Sequence, residues 1–461
     1  MFAVLGLGET VARLIGFGGT VYVARRLGAD SYGIIAVAAA IVLYFSHVAD
    51  FSIEVLGARS VAREPGSVDH ITAPLLVARL WLALGCIAVL CVAGIFFLPQ
   101  PDGAILAVTS FTLIGIAGST RFVFLGIERP VAAAVGRVIA ELLALALIVV
   151  FVRTPGDMSL VPWAHVVGDG TMVVILALVL KRFGYSLRVR RAPDVVRPLF
   201  MSAWPLVAHA VLGLAIFNSD LIFLRALRDA RTAGMYAAAY TLISFLLNIG
   251  VTYGNSLLPV LAREGSDDAD PARQRALFDH AMIQVLTVAL PLAAGGCLLA
   301  GGLMQLVFGA TYAAAVPALQ VLIWSIVVAW VRNVVQMGLI ARHQQAFVLR
   351  TSVWSAAANF VLNVLLIPRY GMIGAAVATV ATETIRTVVA LVYSGRLGLP
   401  FGVATRLWRP VLATATMATI LWLVPLPSVV AAVPLGVIAY AAVLIGTGGV
   451  RFVAGRPTVH L

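Results

Sequence analysis

The chain has 461 residues, of which 61% are apolar and 11% charged, with a formal net charge of +12. Soluble domains run at roughly 45–50% apolar and about 25% charged, so the composition excludes a soluble globular protein and indicates a polytopic membrane protein, with a mean hydropathy of +1.02. One lysine, Lys181, and no Gly-Lys-Ser/Thr run exclude a P-loop ATPase.

Crossing the hydrocarbon core takes about 20 apolar residues. The chain offers fourteen such stretches, at 2–23, 33–53, 76–98, 104–125, 131–152, 160–180 and 200–224, then 233–258, 279–304, 316–337, 347–367, 371–393, 406–424 and 429–448. Pro425, Pro427 and Pro434 crowd the last boundary, and twelve or thirteen spans is the alternative. Span one lacks a basic n-region and is interrupted by Glu9 and Arg13, so it is expected to stay as a transmembrane helix. Span two places His47, Asp50 and Glu54 at i, i+3, i+7 on one face. Span three holds Arg79, Cys86 and Cys91, and span four Arg121. In span five Arg137 and Glu141 are four apart, as are His165 and Asp169 in span six. The basic stretch 181–198 follows and divides the chain. Span seven carries Asp220, span ten Arg332, and Arg350 opens span eleven. That span also holds Asn359 and Asn363, then breaks at Pro368-Arg369-Tyr370-Gly371 before a Gly/Ala-rich span twelve with Glu383 and Arg386. Pro and Gly in succession predict a very short corner between the two. Cys86, Cys91 and Cys297 read as buried unpaired thiols, with no metal-ligand spacing.

Sorted by loop, nineteen Lys and Arg fall on the side of the two termini, seven on the other side, and six within spans. The positive-inside rule then predicts both termini in the cytoplasm. It also accounts for the basic balance without nucleic acid. The halves echo one another: Leu27-Gly28-Ala29-Asp30-Ser31-Tyr32-Gly33 before Ala38-Ala39-Ala40, and Leu227-Arg228-Asp229-Ala230 through Ala233-Gly234 to Ala237-Ala238-Ala239. Gly33 and Gly234 are 201 positions apart. Such internal symmetry is expected of transporters built from repeats. The expected organisation is a six-helix bundle at 1–180, a basic cytoplasmic linker at 181–198, a second six-helix bundle at 199–394, and two extra helices with a tail at 395–461.

Charges inside apolar spans are costly and face an interior or a partner. Arginine binds phosphate through its forked donors and keeps its charge. Arg13, Arg332, Arg137, Arg386, Arg79, Arg121 and Arg350 are therefore candidates for binding an anionic cargo, with Asn359 and Asn363 beside them. Asp50, Asp220, Glu9, Glu141, Asp169 and Glu383 are candidates for coupling to H+ or Na+. The competing reading is that the pairs lock helices together and that Arg79, Arg121 and Arg350 snorkel to headgroups.

The runs Leu27-Gly28-x-x-x-Tyr32-Gly33, Asn218-x-Asp220 and Pro368-x-Tyr370-Gly371-x-x-Gly374-Ala375-Ala376 resemble the polysaccharide transporter family, flippases of O-antigen and exopolysaccharide units. That family belongs to the MATE-related multidrug/oligosaccharidyl-lipid/polysaccharide superfamily. The resemblance implies two six-helix bundles around a cavity that is cationic, an expectation carried onto Arg13, Arg332 and the other span arginines. It also implies flipping of undecaprenyl-diphosphate-linked oligosaccharides to the outer leaflet by alternating access. The implied partners are that lipid-linked oligosaccharide, membrane lipids, and a polysaccharide polymerase with other assembly proteins. The chain is then a transporter and not an enzyme, with no cofactor. A drug antiporter or a lipid II flippase of the same fold remains open, and so does a membrane polymerase or ligase. The last would need a large outer loop, which the sequence lacks.

Overall fold

A computed structural model describes residues 2–185, 193–263, 271–399, 406–424, 428–453 and 456–459. The middle of the expected 181–198 linker, residues 186–192, lies outside them. The protein is an all-α polytopic membrane protein; a short antiparallel hairpin, β1 (Val450–Val453) with β2 (Arg456–Val459), follows the last helix. Among the described residues, ten helices are long and apolar enough to cross a membrane. Two of these each hold two expected spans, and a bent pair and one shorter helix supply the others, which recovers fourteen.

The first doubled helix is α1 (Phe2–Asp50), broken at Gly28, where φ is 76°. Only glycine enters that region at little cost. The chain reverses there, because Glu9 and Glu54 both reach the guanidinium of Arg121. A straight helix would hold those acids about 67 Å apart at 1.5 Å per residue. Span two is itself broken: Phe51 and Ser52 take φ of 48° and 57° before α2 (Ile53–Arg63). Then come α3 (Val68–Phe96) and span four in three pieces, α4 (Asp102–Ser110), α5 (Thr112–Gly118) and α6 (Arg121–Gly126). The helices α7 (Pro130–Phe151) and α8 (Leu160–Arg182) supply spans five and six, and α9 (Pro193–Phe217) with α10 (Ser219–Leu227) supplies span seven, bent by 51°.

Next are α11 (Ala230–Arg263), α12 (Pro271–Leu298) and α13 (Ala300–Val307), followed by α14 (Val316–Leu322) and α15 (Trp324–Ala341). The second doubled helix is α16 (Gln345–Arg396), broken at Gly371 with φ 56° and ψ −132°. A Cβ on Gly374 would lie 2.5 Å from the Leu366 carbonyl oxygen, so the two arms fold back on each other. The Pro-x-Tyr-Gly run is thus the tight corner expected from sequence. Span thirteen, α17 (Trp408–Leu423), has 16 residues, and α18 (Val429–Gly446) completes the set.

The chain divides into two compact units, Met1–Gly234 and Met235–Leu461. The division expected from composition falls in the basic stretch instead. Packing moves it downstream, because α9 and α10 rest on α1 and α3, and Arg225 of α10 pairs with Asp102 of α4. Within the first unit, Ala62, Gly126, Arg129 and Phe183 line one cavity, which gathers the 2–3, 4–5 and 6–7 connections at one end. Large apolar side chains such as Trp81, Phe97, Trp354 and Trp422 are more than 70% exposed, a surface suited to lipid.

Candidate functional site

Breaks inside a membrane helix free backbone carbonyls that lipid cannot satisfy. In the first unit Arg79 answers that need. Buried to 2% exposure, it donates to the carbonyls of Ile116 at 2.6 Å and Ser119 at 2.9 Å, at the end of α5. It also pairs at 2.7 Å with Asp50, the last residue before the break in span two. Arg79 therefore pins two broken spans together and does not snorkel.

The other first-unit charges continue from there. Arg121 sits between Glu9 at 2.7 Å and Glu54 at 3.1 Å. Arg137 takes Glu141, one turn along α7, and Asp169 of α8 at 3.1 Å. Glu141 also lies 3.3 Å from where a Cβ of Gly16 would stand, which brings α1 against this pair. His47 and His165 lie within electrostatic reach of Asp50 and Asp169. Glu9 thus chooses Arg121 over Arg13, its neighbour one turn away. Arg13 is exposed and makes no ion pair among the described residues. Asp220, fully buried at the start of α10, lies within electrostatic reach of Tyr44, whose hydroxyl donates to the Leu214 carbonyl at 3.2 Å. Along this seam Arg79, Arg121 and Arg137 meet five carboxylates, so negative charge is in excess.

The second unit reverses the balance. Glu383, with no exposed surface, accepts from Arg332 Nε at 2.7 Å and from Arg386 Nη1 at 3.5 Å. Arg332 also donates to Gln336 at 2.8 Å, and Arg386 to the Ser352 hydroxyl at 2.7 Å across the fold of α16. Among the described residues two guanidiniums share one carboxylate, which leaves one positive charge in excess in a nearly closed site. Both arginines are 8% exposed. On the same face of the first arm as Ser352, Asn363 donates to Asn359 at 2.9 Å, and both are fully buried. Arg350 is exposed and, among the described residues, donates to its own helix at the Ala346 carbonyl, so the structure does not bring it to this cluster.

Sequence reading placed most of these residues on interior faces but missed Asp102 and Arg225. Arg225 donates to Asp102 through Nε at 2.6 Å and Nη2 at 2.9 Å, a forked pair between residues 123 apart. No periodicity connects positions so distant.

A family model described as "Polysaccharide biosynthesis protein" matches residues 2–264. A probable low-salt glycan biosynthesis flippase, Agl15 of Haloferax volcanii, is 23% identical over 218 residues. The match covers 47% of this chain and spans about half of that relative's length, 46%. Among solved structures, the lipid II flippase MurJ superposes with a TM-score of 0.75 at 12% identity, covering 97% of this chain and 99% of its own. A multidrug resistance MATE family transporter of the MOP superfamily in an inward-facing conformation gives 0.57 at 14% identity, covering 84% and 94%. A MOP superfamily transporter from Pyrococcus furiosus gives 0.54 at 13%, covering 86% and 94%. The fold is that of these transporters, and with more than half its length matched, the chain belongs to the polysaccharide biosynthesis protein family.

Proposed function

We propose that the protein is a flippase. It would move undecaprenyl-diphosphate-linked oligosaccharide units from the inner to the outer leaflet of a bacterial inner membrane, by ion-coupled alternating access. Both termini would lie in the cytoplasm, and a polysaccharide polymerase with other assembly proteins would take the product. The observation that carries the reading is the Arg332–Glu383–Arg386 cluster, with two guanidiniums to one carboxylate. A diphosphate supplies the missing negative charge and matches the forked donors. The family membership, the transporter fold and the glycan flippase relative support the same class. The surplus carboxylates on Arg121 and Arg137 supply the complementary half, a place where H+ or Na+ neutralises charge during the cycle.

The test is flipping in proteoliposomes, read as protection of a fluorescent lipid-linked oligosaccharide from an added membrane-impermeant quencher. Lipid II and a lipophilic cationic drug serve as comparison cargoes. The reading expects flipping of the oligosaccharide lipid that falls at least tenfold in Arg332→Ala with protein level unchanged. Transport of the cationic drug alone, or equal flipping by Arg332→Ala, would sink it. Preference for lipid II would redirect the cargo within the same fold.

A further inference from the structure

From Gly234 to Arg263, helix α11 has no charged side chain before its last residue, yet it is polar along one edge. At 3.6 residues per turn, Thr241, Ser244, Asn248, Thr252 and Asn255 fall within an arc of about 80°, and no other residue from 241 to 255 does. At 1.5 Å per residue the stripe runs about 21 Å, some two-thirds of a hydrocarbon core of about 30 Å. The opposite edge, with Ile243, Gly250 and Gly254, is buried. A Cβ on Gly250 would overlap the Trp330 ring, and one on Gly254 would touch Asn333. The Trp330 indole donates to the Leu246 carbonyl at 3.2 Å and the Tyr253 hydroxyl to Gln284 at 2.5 Å, which fixes the roll of α11. The stripe therefore points away from the unit that holds it, with Asn248, Thr252 and Asn255 exposed.

The donors of this stripe are turned back onto the helix. The hydroxyls of Thr241, Ser244 and Thr252 and the side-chain amide of Asn248 each donate to a carbonyl one turn earlier on α11. The Asn248 side-chain carbonyl and the hydroxyl lone pairs then face outward as neutral acceptors. Amides turned to hydrocarbon are costly, and an acyl chain offers these oxygens no hydrogen bond. A diphosphate is itself an acceptor and meets no cation here. A second copy of the helix would bring the same acceptors. A carbohydrate fits, because each ring carries O–H donors and no charge.

We propose that the Thr241–Ser244–Asn248–Thr252–Asn255 edge of α11 is a sugar-binding track, which takes the neutral glycan of the lipid-linked cargo. It rests on the flippase reading for that cargo and divides the work within the second unit. Arg332 and Arg386 take the diphosphate, and α11 takes the sugars.

The experiment replaces Cys86, Cys91 and Cys297 with Ser and adds single reporters, Asn248→Cys and, in a second protein, Thr252→Cys. Each is held in lipid nanodiscs, where both membrane faces meet a charged maleimide, and labelling is timed with and without two probes. One probe is lipid-linked oligosaccharide extracted from the cells that make the protein. The other is undecaprenyl diphosphate without sugar. Both reporters are expected to label with the charged reagent, several-fold more slowly once the oligosaccharide lipid is added and at an unchanged rate with the bare diphosphate. Labelling by a membrane-soluble maleimide alone would put the stripe in lipid and overturn the proposal. So would equal protection by the two probes, protection by neither, or disulfide-linked dimers of the Asn248→Cys protein. If one reporter protein does not reach the membrane, the other decides. Flipping by the native protein separates the two readings. Oligosaccharide flipped past an unprotected stripe discards the sugar track alone, whereas protection without flipping discards transport and keeps the sugar contact.

Discussion

Glu383→Gln tests the charge balance at the centre of the second unit. The native cluster holds two positive charges and one negative, with Glu383 2.7 Å from Arg332 and 3.5 Å from Arg386 and no surface open to solvent. Glutamine keeps the volume and removes the carboxylate charge that both guanidiniums share. Two guanidiniums then remain beside each other, held by Gln336 and Ser352. Removing one partner of a buried pair costs about 3–5 kcal/mol, a large part of a total stability of roughly 5–15 kcal/mol. Arg332→Gln leaves a neutral Glu383–Arg386 pair and loses charged hydrogen bonds, a cost of about 1.5–3 kcal/mol. The double variant has the same net charge as the native cluster, so it should be more stable than the sum of the two losses by about 1–3 kcal/mol. Unfolding in mixed micelles of dodecylmaltoside and dodecyl sulfate, followed by tryptophan fluorescence for all four proteins, measures this directly. Losses that add within about 0.5 kcal/mol, as they do for independent sites, would refute the view that one shared carboxylate balances both arginines.

Other outcomes follow from single geometries. Arg79→Ala strands Asp50 and two carbonyls in the interior and should cost about 3–5 kcal/mol in the same assay. Arg79→Lys should recover only part, because a single ammonium nitrogen must replace two guanidinium nitrogens, Nη1 on Ser119 and Nη2 on Ile116 and Asp50. Gly371→Ala puts a Cβ into a backbone region that is nearly glycine-only, at about 1–3 kcal/mol, while Ala at the helical Gly85, where a Cβ would meet nothing within 4 Å, should not destabilise. Arg13→Ala should leave stability within about 0.5 kcal/mol of native, since Arg13 is exposed and unpaired among the described residues. On the proposed flippase reading, a change in surface glycan in this variant is then an effect on transport and not on folding. Asp157 accepts from the backbone N–H groups of Thr154 at 2.8 Å and Arg153 at 3.1 Å and from the Thr154 hydroxyl at 2.9 Å, which hold its carboxyl below the usual range. A depressed native value means stabilisation that is complete above an ordinary carboxylate pKa of about 3.9 and lost as pH falls through the lower native one. Amide exchange at Thr154 should therefore be equally protected at pH 5 and 7 and lose protection only in stronger acid. Loss of protection already at pH 5 would contradict that assignment.

The one-dimensional pattern decided a great deal here. Apolar runs of membrane length fixed the spans, because hydrocarbon admits only helices with all backbone bonds made internally. Pro368 and Gly371 fixed a corner, since one cannot continue a helix and the other alone enters its φ. The Arg137–Glu141 pair was also legible, being one turn apart on one helix. Partners beyond one helix were not. Glu9 lies four residues from Arg13 yet pairs with Arg121, and Asp102 finds Arg225 across 123 positions. Periodicity tells which residues share a face, whereas the rotation and neighbours of that face follow from packing of the whole unit. The same limit hid the breaks at Phe51–Ser52 and Ser119–Thr120, which Arg79 stabilises from a third helix. The sequence repeat predicted that Gly33 and Gly234 are equivalent. Only the tertiary structure brought them together, because two helices can approach to backbone contact where both lack a side chain.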